Sequence, residues 1–410
     1  MQVPDPISAV SADEPRKLPL PEFVAMLAVL FATVAFSIDA MLPALSNIAA
    51  ELSPENQNRA QLVLISFMAG MGVGTACAGP LSDAIGRKRA IMIGSTIYIL
   101  SAAGAIFAES LTPLLVLRFF QGMGASGPRI AGTALIRDLY SGREMARITS
   151  FVMMIFIMIP ALAPALGEVI IELTGSWRGV FGAFIAFGLI GVTWVGLRQP
   201  ETLPPERRIP LSARRLVAST REVLSNRQVM LCTLTLTFGF AQMFSLLSSS
   251  EQLFGETFGR ADSFTRWFAV MALLSGLGTI INARYVMRFG MRRIARAAYA
   301  MQVVSASLAL LLVGTGALQG DAAFYAFFLW AVSLFFMAGV TFGNLNALAL
   351  QHMPHLAGMT ASIVAALSAL GAVALATPVG LAYDGTTVPV MSAALICSAL
   401  AWVLMHWLRD

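Results

Sequence analysis

Charge is scarce in this chain. Only 12% of its 410 residues are Asp, Glu, Lys or Arg, whereas 57% are hydrophobic. A soluble globular domain carries about 25% charged residues, so a chain with roughly half that fraction cannot turn most of its surface to water. The scarcity excludes an ordinary soluble domain and favours a protein that is embedded in a membrane.

Cysteine and histidine are also few. The cysteines Cys77, Cys232 and Cys397 lie within apolar runs, which is typical of small buried side chains and predicts no disulfide framework. The three histidines lack the spacing of metal ligands, so we expect no metal site. No P-loop, His-Glu-x-x-His or nucleophile-elbow motif is present. The sequence therefore predicts no cofactor and no enzyme active site.

Long apolar runs are what the sequence has in abundance. A membrane-spanning helix needs about 20 apolar residues, and the chain contains twelve such runs. We predict an all-α membrane protein with twelve transmembrane helices, near 22–45, 61–82, 90–108, 113–136, 148–171, 179–197, 229–250, 267–287, 294–318, 322–350, 357–383 and 388–408. The first run is too long for the apolar core of a signal peptide.

One break divides six predicted helices from six. It runs over 199–228 and is rich in proline and arginine. We predict an N-terminal tail at 1–21, a six-helix bundle at 22–198, a linker at 199–228 and a second six-helix bundle at 229–410. An internal repeat supports two related halves, because the loop Asp83-Ala-Ile-Gly86-Arg87-Lys88-Arg89 and the loop Met287-Arg-Phe-Gly290-Met291-Arg292-Arg293 occupy equivalent places.

The basic residues predict the orientation. With the N-terminus assumed to be cytoplasmic, 21 of the 27 lysines and arginines fall in cytoplasmic segments and four fall in outer loops. This asymmetry places both termini and the linker in the cytoplasm. A net charge of +5 in so apolar a chain indicates membrane topology and predicts no nucleic-acid partner. Two arginines, Arg118 and Arg129, remain inside the fourth predicted helix.

Ionisable residues at membrane depth are rare and default to functional hypotheses. Asp39, Arg118 and Glu168 fall at similar depths in the first, fourth and fifth predicted helices. One arginine with two candidate carboxylates suits a proton-coupling site, since a change in solvent access can load or release a proton. A static ion pair that fixes helix packing is the alternative for Asp39 and Arg118. Glu168 is close enough to the interface to be simply hydrated.

Arg129 shares a helical stripe with Arg118, eleven residues earlier. It has no evident acidic partner in the apolar runs. We expect it either to line a water-filled cavity that binds an anionic or carbonyl-bearing substrate, or to extend toward the near interface as a snorkelling side chain.

The remaining candidate residues lie in the fifth, seventh and tenth predicted helices. Prolines in the middle of the fifth helix predict a bend, which suits either a rocking helix or a fixed kink. Apolar side chains in the seventh helix suit a substrate pocket, although lipid contact or plain packing explains them as well. Two asparagines in the tenth helix are expected either to contact substrate or to form hydrogen bonds between helices. These residues are Pro160, Pro164, Gly167, Phe240, Met243, Phe244, Asn344 and Asn346.

Several motifs resemble the major facilitator superfamily. The stretch Gly79-Pro-Leu-Ser-Asp83-Ala-Ile-Gly86-Arg87-Lys88-Arg89 is similar to its motif A, Arg118-Phe-Phe-Gln-Gly122 to motif B, and Pro160-Ala-Leu-Ala-Pro164-Ala-Leu-Gly167 to motif C, the antiporter motif. The stretch Asp39-Ala-Met-Leu-Pro43-Ala-Leu resembles the bicyclomycin and chloramphenicol resistance (Bcr/CflA) exporters, with Met41 where they usually have Tyr. Glu201–Arg208 and His355–Ser362 look like the same subfamily.

The resemblance implies proton-coupled efflux of small lipophilic drugs or related compounds across a bacterial inner membrane, by a monomer. Together with the residues themselves, it leads us to predict proton coupling through Asp39, Arg118 and Glu168, and substrate contacts from Asp39, Met41, Arg129 and the residues of the seventh and tenth helices. Gating is expected from Gly79, Asp83, Gly86, Arg87 and Arg89. An exporter dedicated to one metabolite, such as a siderophore, amino acid or sugar, is the alternative. A membrane-embedded sensor or enzyme is a third.

Overall fold

The computed structural model describes residues 17–408, with the backbone alone described at 146, 156, 157, 215 and 314. Most of the predicted tail at 1–21 therefore lies outside the described residues, as do the last two residues of the predicted C-terminal bundle. Within 17–408 every regular element is a helix. The prediction of an all-α protein is confirmed.

Fourteen α-helices make up the described chain, and twelve of them correspond to the predicted spans. The other two are the short α2, which extends the first span, and α8, which lies in the linker. The helices are α1 (Leu20–Asp39), α2 (Leu45–Leu52), α3 (Leu62–Ile85), α4 (Arg87–Ile106), α5 (Leu111–Leu139), α6 (Gly142–Thr174), α7 (Arg178–Arg198), α8 (Ala213–Ser225), α9 (Arg227–Gln252), α10 (Phe264–Phe289), α11 (Met291–Ala309), α12 (Gly320–Gln351), α13 (Ala357–Leu381) and α14 (Val388–Trp407).

The first span is broken where the sequence predicts one continuous helix. α1 ends at Asp39, a 3₁₀ turn covers Leu42–Ala44, and α2 continues the rod to Leu52. Pro43 lies inside the 3₁₀ turn and cannot donate the backbone hydrogen bond that an uninterrupted helix needs there. The break places Asp39 at a helix end instead of within a helix.

α5 differs in composition from the other spans. Eleven helical segments within 17–408 are long and apolar enough to cross a membrane, and α5 is not among them. Its 29 residues include Arg118, Gln121 and Arg129, which lower its mean hydropathy. α5 is therefore the predicted span that falls outside these eleven, and its polar residues suit a helix that packs against several other helices.

The helices pack in two groups. Helices α1 and α3–α7 contact one another, as do α9–α14. Within the first group α3 and α5 cross with their backbones in contact. A Cβ atom on Gly70 would lie 1.8 Å from the carbonyl oxygen of Phe119, and one on Gly122 would lie 1.9 Å from that of Phe67. Glycine is required at this crossing because any side chain would displace a backbone.

The two ends of the bundle differ in charge. We call the end that carries the α3–α4 loop, the linker and the α10–α11 loop the basic face, and the other end the opposite face. On the basic face Gly86 and Gly290 each separate two helices, with φ of 105° and 81°. Both values lie in the region that favours glycine, so the repeat in the sequence corresponds to two turns of the same conformation.

The linker contains a helix that the sequence reading left out. α8 packs against α9 and α13, with Val223 fully buried and Arg221 and Leu224 exposed. The exposed pair formed by Glu222 and His355, with 2.7 Å between Oε1 and Nε2, joins α8 to the turn before α13. The linker is thus packed against the second helix group.

Candidate translocation pathway

Asp39 is the acidic side chain at the break in the first span. It is 6% exposed, and no hydrogen bond or ion pair to its carboxylate is found among the described residues. Its backbone neighbours are held from two sides. The carbonyl oxygen of Ser37 accepts a hydrogen bond from Arg118 in α5, and Ala40 lies against Gly167 in α6. The residues on either side of Asp39 along the chain therefore contact both α5 and α6.

Arg118 is fully buried in α5. Its guanidinium donates to three neutral oxygens, namely the carbonyls of Val63 at 3.2 Å and Ser37 at 3.0 Å and the amide oxygen of Gln121 at 2.8 Å. Its Cζ also lies 4.5 Å from the ring centroid of Phe67. Carbonyl dipoles and an aromatic face thus stabilise this cation where a carboxylate was expected.

The expected cluster of one arginine with two carboxylates is not formed. Among the ion pairs of residues 17–408 none involves Arg118, Asp39 or Glu168. Glu168 instead accepts a hydrogen bond of 2.7 Å from the hydroxyl of Thr265 in α10. A similar depth in the membrane did not bring these side chains together, because Glu168 points to the contact between the two helix groups.

The antiporter-like stretch in α6 is a continuous helix that contains both prolines. Pro164 is buried and Pro160 is half-buried. A Cβ on Gly167 would lie 2.2 Å from the carbonyl oxygen of Ala40, so this glycine lets α6 lie directly against the break in the first span. The motif positions a helix contact next to Asp39.

Arg129 occupies the same stripe of α5 as Arg118 but a different environment. Its side chain is exposed although protein surrounds it on most sides. Its Nη1 lies 4.0 Å from Sδ of Met71 in α3. This combination is typical of a side chain that lines an open cavity within a protein.

The motif A residues form a charged network within the first helix group. Arg87 binds the carboxylate of Asp83, donates to Asp138 in α5 at 3.0 Å and donates to the hydroxyl of Ser82 at 3.0 Å. Arg89 is exposed and makes no contact with this network among the described residues. Arg87 thus joins the ends of α3, α4 and α5.

Glu201 completes this network, in a role that the sequence reading did not assign. Its carboxylate accepts hydrogen bonds from the backbone N–H groups of Arg87 at 2.8 Å and Lys88 at 3.2 Å, at the start of α4. A Cβ on Gly86 would lie 2.3 Å from Oε2 of Glu201. A carboxylate at a helix N-terminus is stabilised by the unpaired N–H groups there. The start of the linker is therefore fastened to the motif A turn.

A cleft of about 240 Å³ opens at the basic face between the two helix groups. The ends of α3 and α5, the linker and the start of α13 line it, and its charged residues are Asp83, Arg87 and Arg137. Gly79 marks its inner end, where a Cβ would lie 3.0 Å from the hydroxyl of Ser362 in α13. Three of the five predicted gating residues, Gly79, Asp83 and Arg87, therefore border this cleft, whereas Gly86 and Arg89 do not line it.

The opposite face is sealed by an amide clasp, which we define as Asn58, Gln61, Ser249, Gln252 and Tyr383. Asn58 Nδ2 donates to the carbonyl oxygen of Tyr383 at 2.8 Å, and Gln252 Nε2 donates to Oδ1 of Asn58 at 3.1 Å. The amides of Gln61 and Gln252 are hydrogen-bonded, and Ser249 donates to Gln61 at 3.0 Å. These bonds join the 3₁₀ turn Gln57–Gln61, just before α3, to α9 and to the segment that follows α13.

No signal in the sequence could have revealed the clasp. Its members are common amide and hydroxyl residues far apart along the chain, and their meeting depends on how the two helix groups are placed. Gly380 is part of the same contact, since a Cβ there would lie 2.3 Å from Oε1 of Gln61.

The apolar candidates of α9 are packing residues in this structure. Phe240 stacks on Phe342 of α12, with 4.2 Å between ring centroids, and contacts Phe244. Phe244 is 4% exposed, while Phe240 and Met243 are half-buried. Phe240 and Met243 thus keep accessible surface, whereas Phe244 belongs to the core.

The amide candidates of α12 and Met41 differ in burial and in hydrogen bonding. Asn344 donates to Oδ1 of Asn282 in α10 at 2.7 Å, which is the bond between helices that was one of its two expected roles. Asn346 is half-buried and donates to the carbonyl oxygen of Phe342 at 3.1 Å. Met41 is fully buried beside Asp39. Asn346 has the most accessible surface of the three.

Comparison with known proteins agrees with the motifs. The profile of the Major Facilitator Superfamily matches residues 24–376. The chain is 27% identical over 393 residues to the bicyclomycin resistance protein homolog of Haemophilus influenzae, covering 93% of this chain and 96% of the relative. It is 26% identical over 354 residues to multidrug resistance protein D of Escherichia coli, covering 86% of each.

A solved structure has the same fold. The xylose transporter XylE from E. coli, in a partially occluded inward open conformation, superposes with a TM-score of 0.74 at 14% identity, over 95% of this chain and 98% of that one. At this identity the likeness concerns the fold alone. It agrees with the twelve-helix arrangement described above.

Proposed function

Because the chain belongs to the major facilitator superfamily and is thus a transporter and not an enzyme, we propose that it exports small lipophilic drugs or related compounds in exchange for protons. Its curated relatives in Haemophilus influenzae and E. coli carry resistance in their names, which supports efflux as the direction. The protein is a multi-pass membrane protein. We place it in a bacterial inner membrane as a monomer with both termini and the basic face in the cytoplasm, as the arginine asymmetry supports.

The buried carboxyl group of Asp39 is the observation that carries proton coupling. A carboxylate without a cationic partner is costly inside a membrane, whereas its protonated form is neutral. Asp39 therefore suits a group that holds a proton while enclosed and releases it when water arrives. Ser37 and Ala40 connect this group to Arg118 and Gly167, so that its charge state acts on the packing of α5 and α6.

The difference between the two faces of the bundle supports transport by alternating access. The cleft at the basic face is open and the amide clasp is closed, which suits a state that receives substrate from the cytoplasm. Release on the other side requires the clasp to part and the cleft to close. The six-helix bundles at 22–198 and 229–410 move relative to each other in this scheme, with the linker at 199–228 between them.

The decisive experiment measures drug efflux in inverted membrane vesicles from an efflux-deficient host, with an imposed pH gradient. Asp39→Asn is expected to abolish gradient-dependent transport while the protein remains in the membrane. Glu109→Gln, which neutralises an exposed carboxylate on the opposite face, is the matched control and is expected to transport normally.

Full gradient-dependent transport by Asp39→Asn would refute the proposed role of Asp39. Glu168→Gln in the same assay then identifies the other candidate. Loss of transport in Glu168→Gln alone would move the proton site to the contact between α6 and α10.

A further inference from the structure

One stripe of α5 is open to solvent. Between residues 121 and 137 only Arg129, Thr133 and Arg137 are exposed, and every other residue is buried or half-buried. The three are spaced four residues apart and lie along one side of the helix. By the rise of 1.5 Å per residue the stripe extends over about 12 Å, from within the span to the basic face.

Three observations indicate that this stripe faces the space between the helix groups and not lipid. Helix α5 contacts α1, α3, α4 and α6, and its other sides are buried along the whole segment. Two arginines and a threonine toward hydrocarbon would be strongly unfavourable. Arg137 at the end of the stripe lines the cleft at the basic face, as do Ile130 and Ala134, which directly follow Arg129 and Thr133 along the helix. Water that enters the cleft therefore reaches this end of the stripe.

The positive charge of the stripe has no counter-ion in the described part of the chain. Neither Arg129 nor Arg137 has an ion pair among residues 17–408. The nearest carboxylates at that end are engaged elsewhere. Asp83 binds Arg87, and Asp138 accepts from both Arg87 and Thr202. The hydroxyl of Thr133 donates to the backbone carbonyl oxygen of Arg129 at 3.0 Å, and the guanidinium itself lies beside Met71, with 4.0 Å between Nη1 and Sδ.

We propose that this stripe binds the acidic group of the substrate, with Arg129 as the anchoring cation and Arg137 as the residue that attracts the anion into the cleft. The preferred substrates are then lipophilic compounds that carry a carboxylate or a similar anionic group. A guanidinium recognises a carboxylate through two parallel hydrogen bonds, which a lysine cannot reproduce. The inference rests on the proposed export function and adds the charge of the exported compound.

The test compares two probes that differ in one acidic group, chloramphenicol and its anionic hemisuccinate ester. Binding of each radiolabelled probe to purified full-length protein is measured by equilibrium dialysis in detergent, without a pH gradient. The wild type is expected to bind the ester at least about tenfold more tightly, which corresponds to about 1.4 kcal/mol.

Arg129→Gln is expected to bring the ratio of the two affinities close to one, and Arg129→Lys to restore it only in part. Arg137→Gln is expected to lower the ratio less than Arg129→Gln does. The matched control is Arg221→Gln, which removes an exposed arginine of α8 outside the stripe and is expected to leave the ratio unchanged.

Equal binding of both probes by the wild type, no binding of the ester, or an unchanged ratio in Arg129→Gln would each overturn the proposal. Since the assay involves no proton gradient, a failure of proton coupling at Asp39 leaves its outcome untouched. Loss of coupling and loss of charge selectivity are therefore distinguishable.

Discussion

The two faces of the bundle are held by different kinds of bonds. At the opposite face the two helix groups meet through the amide clasp, which consists of neutral hydrogen bonds between the turn before α3 on one side and α9 and the segment after α13 on the other. At the basic face the strong charged bonds of Arg87 and Glu201 stay within the first helix group and its linker. No bond of that network crosses the cleft among the described residues.

This difference indicates which contacts can break and re-form during the transport cycle. Neutral hydrogen bonds contribute about 1 kcal/mol each and can be replaced by bonds to water when the seam opens. Charged bonds that are partly buried are costly to break. A transporter that must open and close one seam benefits from neutral bonds across it, while charged bonds keep each moving half intact.

The largest effect is expected where a charged bond is removed. Arg87→Gln leaves the carboxylates of Asp83 and Asp138 close together without their cation, and a loss of stability of about 3 kcal/mol is expected. A fall of several degrees in the melting temperature of the purified protein would show it.

Arg87→Lys is the matched control, since it keeps the charge but loses the forked geometry, and its loss is expected to be smaller. If Arg87→Gln melted like the wild type, the view that the network holds one half together would be wrong.

Weakening the amide clasp is expected to change the equilibrium between the closed and open states of the opposite face more than it changes the stability of the protein. Gln61→Ala removes two neutral bonds of the clasp, which shifts the equilibrium toward a state open at the opposite face by about thirtyfold. The reporter is Ser248→Cys, buried next to the clasp, in a background without Cys77, Cys232 and Cys397. Its labelling by a membrane-impermeant maleimide added to cells is expected to accelerate.

Ser305→Ala serves as the matched control for this labelling. It removes a hydroxyl that bonds Ser333 at 3.1 Å between α11 and α12, inside one helix group. Equal acceleration by Ser305→Ala would mean that the labelling reports general loosening and not the clasp.

A single bond across the same seam is expected to matter less. Thr265→Val removes the hydroxyl that donates to Glu168 and leaves the shape of the side chain nearly unchanged. We expect a shift of about fivefold in the same labelling assay. Thr265→Ser keeps the hydroxyl and is expected to label at the wild-type rate, so a shift of the same size in Thr265→Ser would assign the effect to packing.

The smallest effect is expected for an exposed pair at the basic face. His355 and Glu222 are 60% and 54% exposed, and such pairs contribute at most about 0.5–1 kcal/mol. His355→Ala is expected to leave the melting temperature and the labelling rate unchanged within error. A clear change in either would mean that the contact between α8 and the start of α13 controls the cleft.

The sequence predicts what depends on local composition. The twelve spans follow from apolar runs, and the turns at Gly86 and Gly290 from a repeated pattern of glycine and arginine. The break after Asp39 was missed because Pro43 is near the end of an apolar run, where a shorter helix and a broken one look alike. Helix α8 was missed because its arginines resemble an ordinary cytoplasmic loop.

The directions in which side chains point could not be predicted. Arg118 and Arg129 share a stripe of α5 in sequence, yet Arg118 is fully buried and Arg129 is exposed. Helical periodicity gives the side of a helix but not what lies next to it at each level. Glu168 and the amide clasp depend on the placement of one helix group against the other, which no segment of the sequence determines alone.

The crossing of α3 and α5 has a consequence for evolution. Gly70 and Gly122 bring the two backbones together, so substitutions there are expected to be costly, and Arg129 follows Gly122 in the same helix by about two turns. A lineage that adapts to new compounds is then expected to vary the accessible residues of the other half, such as Phe240, Met243 and Asn346. The α3–α5 side of the pathway is then expected to stay constant among related transporters, while the accessible residues of α9 and α12 differ according to the compounds that each transporter exports.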